Sequence, residues 1–211
     1  MRQLLKSLSL CGLAVASVFP AASAHANELG DTWNLIWADE FNGTALDQDK
    51  WNYEDDCWGG GNEERQCYTQ KTENVEIANG LLTIRAIKEK TRGFANTRAA
   101  RDGEVSLAPG TKRYARVRRP FSSGRIVSRG KGDWTYGRFE ARMKLPTGQG
   151  LWPAFWMLPS DYAYGGWAAS GEIDIMEAIN LGMTCENCEG GREDRVYGTL
   201  HYGGRWPDNE Y

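Results

Sequence analysis

Apolar and polar residues alternate over several short stretches of this chain, and the alternation predicts β-strands. The longest case runs from residue 137 to residue 145, where apolar and charged side chains take turns without a break. Successive side chains then point to opposite faces, so we predict a half-buried antiparallel strand. Residues 152–158 are apolar on both faces, which predicts a central strand. Shorter stretches that predict strands cover residues 32–41, 81–87, 124–128 and 196–202.

Turn signals separate these stretches. Asn79-Gly80 precedes the strand at 81–87 and is a strong signal for a two-residue hairpin turn. Residues 47–53 are predicted to form a short turn or one helical turn, and residues 57–67 a glycine-rich loop. Residues 88–120 form a long basic insertion with little periodicity. Because the chain shows no helix of ordinary length and no internal repeat, we predict an all-β fold, an antiparallel β-sandwich.

Three carboxylates stand out within one predicted strand, residues 171–180. Glu172, Asp174 and Glu177 are threaded through isoleucine and methionine. Strict alternation places Glu172 and Asp174 on one face but sends Glu177 to the other. A one-residue β-bulge at Ile175 or Met176 brings all three acids onto one surface, so we predict such a bulge.

The bulge also sets the expected spacing of the two glutamates. At ~3.3 Å per residue, their Cα atoms lie roughly 13 Å apart, and side chains that lean together leave the carboxyl groups roughly 5 Å apart. That separation matches the ~5–5.5 Å of a retaining glycosidase and not the wider gap of an inverting one. Like charges side by side repel, so a purely structural strand has no reason to carry them.

The N-terminal sequence is typical of an export signal. Arg2 and Lys6 precede an apolar run, residues 8–19, and small residues at 22–26 offer a cleavage site. We therefore predict a signal peptide at residues 1–26, a mature domain at 27–211, and a secreted or periplasmic location. No other segment looks transmembrane, so no membrane association is expected after cleavage. The mature chain keeps 23 basic and 28 acidic residues, a formal charge of −5.

Four cysteines remain after cleavage, and an even number in an exported protein predicts disulfides. The glycine-rich loop carries one pair at its ends. The other pair is spaced Cys-x-x-Cys, which also permits a redox or zinc element, although a loop disulfide is favoured. The disulfide candidates are Cys57, Cys67, Cys185 and Cys188.

A run of basic residues offers a second function class. Residues 112–131 contain eight basic residues and no acids, a pattern that can indicate nucleic-acid binding. Because the protein as a whole is acidic and exported, a solvated loop is the favoured interpretation, and we expect no nucleic-acid partner.

The acid strand and its surroundings resemble glycoside hydrolase family 16, most closely its laminarinase-type endo-β-1,3-glucanases. The resemblance begins with Glu172-Ile-Asp-Ile-Met-Glu177 and the segments 152–159 and 167–171 that precede it. It spans residues 33 to 203. Supporting segments are residues 39–43, 61–69, 137–142 and 200–203.

This resemblance implies a concanavalin A-like jelly roll with the acids in a concave cleft. By motif position, Glu172 is the expected nucleophile and Glu177 the general acid/base, with Asp174 between them. His201 is a candidate for orienting Asp174 or holding sugar, and equally for an ordinary strand histidine. No cofactor is required.

Sugar contacts are expected from aromatic and polar side chains. Trp167, on a polar loop beside the acids, is the strongest candidate, followed by Trp152. Trp156 fits the core nearly as well as the cleft. Asn62 and Arg138 are weaker candidates for hydroxyl contacts.

The chain departs from the family pattern in two ways. Arg65 and Cys67 stand where the family usually has Leu and Tyr. The family also continues with several strands beyond the position of Tyr211, so we expect the domain to lack its C-terminal strands. Some members bind calcium partly through residues beyond that point; we therefore assign no metal ligands.

The leading hypothesis is an exported, monomeric, retaining endo-glycosidase that hydrolyses laminarin-like β-1,3-glucan. One alternative is a non-catalytic β-glucan-binding module. Another is the same chemistry on mixed-linkage glucan, agarose or carrageenan. The extra residue of the bulge argues against mixed-linkage specificity, because the resemblance associates that specificity with an unbulged motif.

Overall fold

The computed structural model describes residues 33–103 and 106–211. The predicted signal peptide, residues 1–26, lies outside the described residues. The chain divides into two units, residues 1–38 and 39–211. Residues 33–38 of the first unit are not part of a strand. Nowhere in the described ranges is there a helix with the length and apolar character needed to cross a bilayer.

Short strands dominate the second unit, which confirms the all-β prediction. A single turn of α-helix, α1 (Arg98–Asp102), and a 3₁₀ turn at Glu189–Gly191 are the helical segments among the described residues. The strands are β1 (Asn52–Tyr53), β2 (Gln66–Tyr68), β3 (Val75–Ala78), β4 (Leu81–Ile84), β5 (Thr91–Phe94), β6 (Arg116–Arg119), β7 (Phe121–Ser123), β8 (Ile126–Val127), β9 (Ala154–Met157), β10 (Glu172–Glu177) and β11 (Tyr197–His201).

The sheet that carries the acids has the order β11-β10-β9, with antiparallel pairing throughout. Its central strand is β10, whereas β9 lies at an edge among the described residues. The prediction of a central strand at 152–158 is therefore wrong in position. Apolar side chains on both faces show that a strand is covered on both sides, but they do not show that it has two neighbours.

The predicted bulge is present in β10. Asp174 pairs with Trp156 and Met176 with the adjacent Phe155, so Ile175 is the extra residue opposite β9. The register with β11 shifts in the same interval, between Asp174 and Glu177. A bulge of this kind re-aims the side chains beyond it, here that of Glu177.

Four two-stranded pairs make up the rest of the described strands: β1-β8, β2-β7, β3-β4 and β5-β6. The β3-β4 hairpin turns at Asn79-Gly80, where both residues have positive φ (55° and 72°), as a type I′ turn requires. This confirms the hairpin prediction. The β2-β7 pair is parallel, so the sheets are not purely antiparallel as predicted.

The basic insertion is not the loop that its sequence suggests. Within residues 88–120, β5 and β6 pair, and α1 lies between them. Thr97 caps α1 by accepting a hydrogen bond from the Ala100 backbone N–H, and Gly103 ends it in the left-handed conformation. The basic side chains hid the strand pattern, because arginine occupies the positions on both sides of Val117 in β6.

Two predicted strands are absent. Residues 33–41 and 137–145 alternate in sequence, yet neither segment belongs to a strand in the structure. Alternation makes a segment suited to a sheet, but a strand forms only where a neighbouring segment offers a matching row of backbone groups. No described strand pairs with residues 137–145.

Candidate active site

The register of β9, β10 and β11 places the three acids on one face of their sheet, which we call the acid face. Residues paired directly across strands project to the same side. Glu172 is paired with His201, Asp174 with Trp156, and Glu177 with Tyr197. The bulge thus brings Glu177 back to the side that Glu172 and Asp174 occupy, as the sequence predicts.

Glu172 is half-buried at the start of β10. The indole Nε1 of Trp167 donates a 2.6 Å hydrogen bond to its Oε2. Burial raises its pKa from 4.5 to about 7; the hydrogen bond from Trp167 opposes that rise, whereas the charges of Asp174 and Glu177 add to it. Near neutral pH this carboxyl is therefore present in both its protonated and its ionised form.

Asp174 is the most deeply buried of the three acids, with 4% of its surface exposed. Its Oδ2 lies 3.2 Å from Nε2 of His201. The His201 ring in turn lies 5.3 Å from that of Trp167, measured between centroids. Asp174 Oδ2 is buried and has no hydrogen-bond partner among the described residues, and the charge of Asp174 raises the pKa of both Glu172 and Glu177.

Glu177 is half-buried at the end of β10. The indole Nε1 of Trp152 donates a 2.7 Å hydrogen bond to its Oε1. Burial raises the pKa of Glu177 above its usual value; the hydrogen bond from Trp152 lowers it, the charge of Asp174 raises it and His201 lowers it. Each glutamate thus has its own tryptophan donor, and both tryptophans belong to the predicted set.

Trp156 lies on the acid face rather than in a closed core, since it pairs with Asp174. The guanidinium of Arg125 lies over its ring, 4.5 Å from the centroid, and 5.6 Å from the ring centroid of Tyr68. Arg125 Nε is buried and has no hydrogen-bond partner among the described residues. This arginine therefore joins the acid face to β2.

Arg125 and the polar network below it were not predicted from the sequence. Tyr68 donates a 2.7 Å hydrogen bond to Glu64 Oε2, and Gln66 Nε2 donates to the same oxygen at 2.5 Å. Burial raises the pKa of the Tyr68 phenol. Arg125 was hidden within the basic run that suggested a solvated loop, while the aromatic residues that support it are 31 or more positions away along the chain.

Two predicted sugar-contact residues are not brought to the acids. Asn62 is exposed on the glycine-rich loop, where its backbone N–H donates to the Gly59 carbonyl. Arg138 is exposed and pairs with Glu140 at 2.7 Å. The residues beside Arg138, Gly137 and Phe139, line a cavity of about 440 Å³ together with Ile173 and Ile175, on the side of β10 away from the acids.

Both predicted disulfides are formed. Cys57–Cys67 is buried and closes the glycine-rich loop, whereas Cys185–Cys188 is half-buried in the loop between β10 and β11. Glu193 lies near the second pair, with its Oε2 3.4 Å from Cys188 Sγ. As a disulfide, this pair offers no thiolates for the redox or zinc element considered as an alternative.

Calcium does not fit the ligand clusters of the described residues. These clusters are Glu172-Asp174-His201 and Cys185-Cys188-Glu193. Calcium prefers six to eight oxygen ligands. The first cluster includes an imidazole and the second is mostly sulfur, so neither supplies that donor set.

Comparison with known proteins identifies the family of the chain. The family model for glycosyl hydrolases family 16 matches residues 62–188. The glucan endo-1,3-beta-glucosidase A1 of Niallia circulans is 44% identical over 84% of this chain and 23% of its own length. The glucan endo-1,3-beta-glucosidase of Cryptopygus antarcticus is 39% identical over 92% of this chain and 60% of its own.

Two solved structures share the fold. The laminarinase of Rhodothermus marinus has a TM-score of 0.56 at 33% identity, covering 80% of this chain and 65% of that one. The laminarinase catalytic domain of Thermotoga maritima has a TM-score of 0.58 at 35% identity, covering 81% and 57%. These folds confirm the jelly-roll class. The chain spans only 23% to 60% of the length of the two curated relatives.

Proposed function

Since this chain belongs to glycosyl hydrolase family 16, we propose that it is an exported, retaining endo-glycosidase that hydrolyses laminarin-like β-1,3-glucan. The observation that carries the proposal is the bulged strand β10, which places Glu172 and Glu177 on one face, each with an indole donor. Two carboxyl groups beside one glycosidic bond are the requirement for this chemistry, and it needs no cofactor.

In the first step, a carboxylate oxygen of Glu172 attacks the anomeric carbon while the bond to the leaving oxygen breaks. Glu177 gives its proton to that oxygen, and a glycosyl ester of Glu172 remains. In the second step, Glu177 takes a proton from water, the resulting hydroxide attacks the anomeric carbon, and Glu172 leaves as a carboxylate. The product keeps the β configuration because the carbon is inverted twice.

The electrostatics of the free site set the pH range of this sequence. Glu172 must be ionised to attack, and its pKa of about 7 makes that form a minority below neutrality. Because burial makes Glu172 hold its proton more strongly, burial alone would make Glu172 the proton donor and Glu177 the nucleophile. Position in the family motif assigns Glu172 as nucleophile, and positive charge that develops at the anomeric carbon favours its ionised form in the transition state.

Replacement of each glutamate by glutamine tests the proposal. Glu172→Gln and Glu177→Gln keep an oxygen acceptor for the Trp167 and Trp152 indoles but remove the ionisable group. We expect each to lower the release of reducing sugar from laminarin by at least ~10³-fold, because both groups take part in every turnover. Glu140→Gln, in an exposed acid that pairs with Arg138, is the control.

If both glutamine variants hydrolyse laminarin at the normal rate, the assignment is wrong. A matching loss in Glu140→Gln would point to a general effect of charge. Parallel assays with lichenan and agarose decide between β-1,3-glucan and the alternative polysaccharides.

A non-catalytic glucan-binding module is the second candidate. The β-1,3-glucan-binding protein of Penaeus monodon is 33% identical over 83% of this chain and 50% of its own length. Binding of the intact chain to insoluble β-1,3-glucan without release of any sugar would favour this candidate over the hydrolase.

Export of the chain is supported by the basic, apolar and small-residue order of positions 1–26 and by two disulfides, which persist mainly in oxidising compartments. N-terminal sequencing of the protein recovered outside the cytoplasm should begin close to residue 27. A cytoplasmic product that still starts at Met1 would contradict export.

A further inference from the structure

Strands β5 and β6 present three arginines on one exposed surface. Arg92 of β5 pairs directly with Arg118 of β6, and Phe94 pairs with Arg116. Paired residues project to the same side, and so do residues two apart in one strand. We call this surface, formed by Arg92, Phe94, Arg116 and Arg118, the arginine face.

The arginine face lacks the acids that such a surface usually carries. Arg92, Arg116 and Arg118 are exposed, and no salt bridge joins any of them to an acid in the part of the chain that the structure describes. Elsewhere exposed arginines do find acids: Arg85 pairs with Glu76. Like charges directly opposite one another across two strands are destabilising, so the Arg92–Arg118 pair destabilises the fold of the free protein.

Aromatic rings order this surface. The guanidinium of Arg116 lies over the Phe94 ring, 4.6 Å from its centroid, and Arg116 Nη2 donates a hydrogen bond to the Arg92 carbonyl at 3.4 Å. Arg101 lies over the same ring at 4.0 Å, and Tyr114, which is 65% exposed, meets the ring edge-on. A stacked guanidinium can offer its remaining N–H groups to a planar or tetrahedral anion, and an exposed tyrosine ring suits a sugar face.

The other side of the β5-β6 pair faces the glycine-rich loop and β2. Arg119 follows Arg118 and turns to the other side, where its guanidinium donates to the Cys57 carbonyl at the start of the glycine-rich loop. That loop returns into β2, which lies against β5, and Tyr68 of β2 underlies Arg125 beside Trp156. Arg92, Arg116 and Arg118 therefore project from the opposite side of the β5-β6 pair, where they are exposed.

We propose that the arginine face binds a polysaccharide bearing sulfate or carboxylate groups. The proposal rests on the proposed function, because it takes the acid face as the place of cleavage. The formal charge of −3 for the whole chain repels polyanions in general, so binding requires a local surface of opposite charge such as this one. A glycan satisfies both the guanidinium groups and the exposed Tyr114 ring.

The test compares two glycans that differ only in charge. Laminarin and sulfated laminarin share one backbone, and Glu172→Gln prevents their hydrolysis during a binding measurement. In that background, Arg92→Gln/Arg118→Gln removes two charges from the arginine face, and Arg85→Gln/Arg142→Gln removes two exposed charges elsewhere. Circular dichroism melts establish that all variants are folded.

We expect Arg92→Gln/Arg118→Gln to weaken binding of sulfated laminarin about tenfold while binding of neutral laminarin changes less than about twofold. The parent's affinity for the sulfated glycan should fall as salt is raised from 50 to 300 mM. Equal losses in the two double variants, or no loss in either, would overturn the proposal.

The same binding measurement is made with double-stranded DNA at the same concentration of negative charges. If DNA binds as tightly as sulfated laminarin and is lost to the same extent in Arg92→Gln/Arg118→Gln, the arginine face is a general polyanion surface and the glycan assignment is wrong. Because these measurements need no turnover, they can fail while laminarin hydrolysis stands, and the reverse holds as well.

Discussion

Burial raises the pKa of both catalytic glutamates, and at each of them an indole N–H group opposes that rise. Trp167 donates to Glu172 and Trp152 donates to Glu177, and each hydrogen bond lowers the pKa of the carboxyl that accepts it. The two donors thus act on opposite limbs of the pH–rate profile, since one glutamate must be ionised and the other protonated.

Trp167→Phe keeps an aromatic ring but removes the donor to Glu172. The pKa of Glu172 should then rise further above 7, so the acidic limb of kcat/KM for laminarin should move to higher pH. At pH 6 we expect a loss of about tenfold, since one pKa unit is a tenfold change in the ionised fraction below the pKa. Trp134→Phe, on the other side of β10, is the control and should leave the limb in place.

Trp152→Phe should shift the basic limb of the pH–rate profile. Without this donor the pKa of Glu177 rises, so the acid/base keeps its proton to higher pH and the basic limb moves upward. A kcat/KM profile measured from pH 5 to 10 checks this shift. Movement of the acidic limb instead would mean that the roles of Glu172 and Glu177 are exchanged.

Glu172 also links catalysis to stability. Its raised pKa means that the folded chain binds more protons than the unfolded chain between about pH 4.5 and 7, so its contribution to the free energy of unfolding falls as pH rises through that window. Glu172→Gln removes this effect. Because the group is half-exposed, we expect a gain of only ~1 kcal/mol at pH 8 and almost none at pH 4.5.

Urea denaturation of the parent and of Glu172→Gln at the two pH values measures this difference. Glu140→Gln should show no gain that grows with pH. A gain of the same size at pH 4.5 and pH 8 would show that ionisation of Glu172 is not its source.

At the scale of elements, the bulge in β10 is what the chemistry requires of the backbone. Deletion of Ile175 leaves three residues between the glutamates in place of four, so both stay on one face of a regular strand. The deletion variant should therefore remain folded and active, with kcat/KM on laminarin lowered roughly 10²-fold by the changed carboxyl positions. Its ratio of lichenan to laminarin hydrolysis should rise.

Assays of the deletion variant on both glucans, beside Glu177→Gln as the inactive reference, measure this. A folded deletion variant as inactive as Glu177→Gln would show that the bulge does more than set which face Glu177 occupies.

Strands and bulge were predictable to different degrees. The β10 bulge followed from the sequence because three acids had to share a face, and the β3-β4 turn followed because Asn-Gly favours positive φ. The strand predicted at 137–145 failed, because alternation describes the segment itself whereas a strand also depends on a neighbour. The pairing of β5 with β6 was not predicted, although both segments have a strand neighbour. Arginines occupy positions of β6 where an alternating pattern would have apolar residues.

The candidate site, too, was predictable from the sequence only in part. Acids and tryptophans are close in sequence to one strand, so their meeting was predictable from local spacing. Arg125 meets Tyr68 and Trp156 only because β2, β9 and the segment before β8 come together, which no local pattern indicates. For Asn62 and Arg138, the resemblance suggested a role, but their own contacts are with neighbouring loop residues.

At the scale of the whole molecule, the two disulfides differ in access. Cys57 and Cys67 are 1% and 0% exposed, whereas Cys185 and Cys188 are half-buried in a surface loop. Thiol exchange requires a reductant to reach a sulfur, so mild reduction of the native protein should open Cys185–Cys188 alone. Alkylation followed by peptide mass spectrometry measures which cysteines become free.

Cys57–Cys67 should become reducible only when the protein is unfolded in urea. Replacement of both by serine should cost ~2–3 kcal/mol of stability, because this bridge closes the glycine-rich loop. Simultaneous opening of both bridges in the native protein would contradict the burial of the first.

Capture of the covalent intermediate shows directly whether Glu172 is the nucleophile. A 2-deoxy-2-fluoro-β-glucosyl substrate with a good leaving group should form a long-lived ester, and peptide mass spectrometry should place the added sugar on Glu172. We expect one adduct per chain at Glu172 and none in Glu172→Gln. An adduct on Glu177, or turnover of laminarin to the α-configured product with no adduct at all, would contradict it.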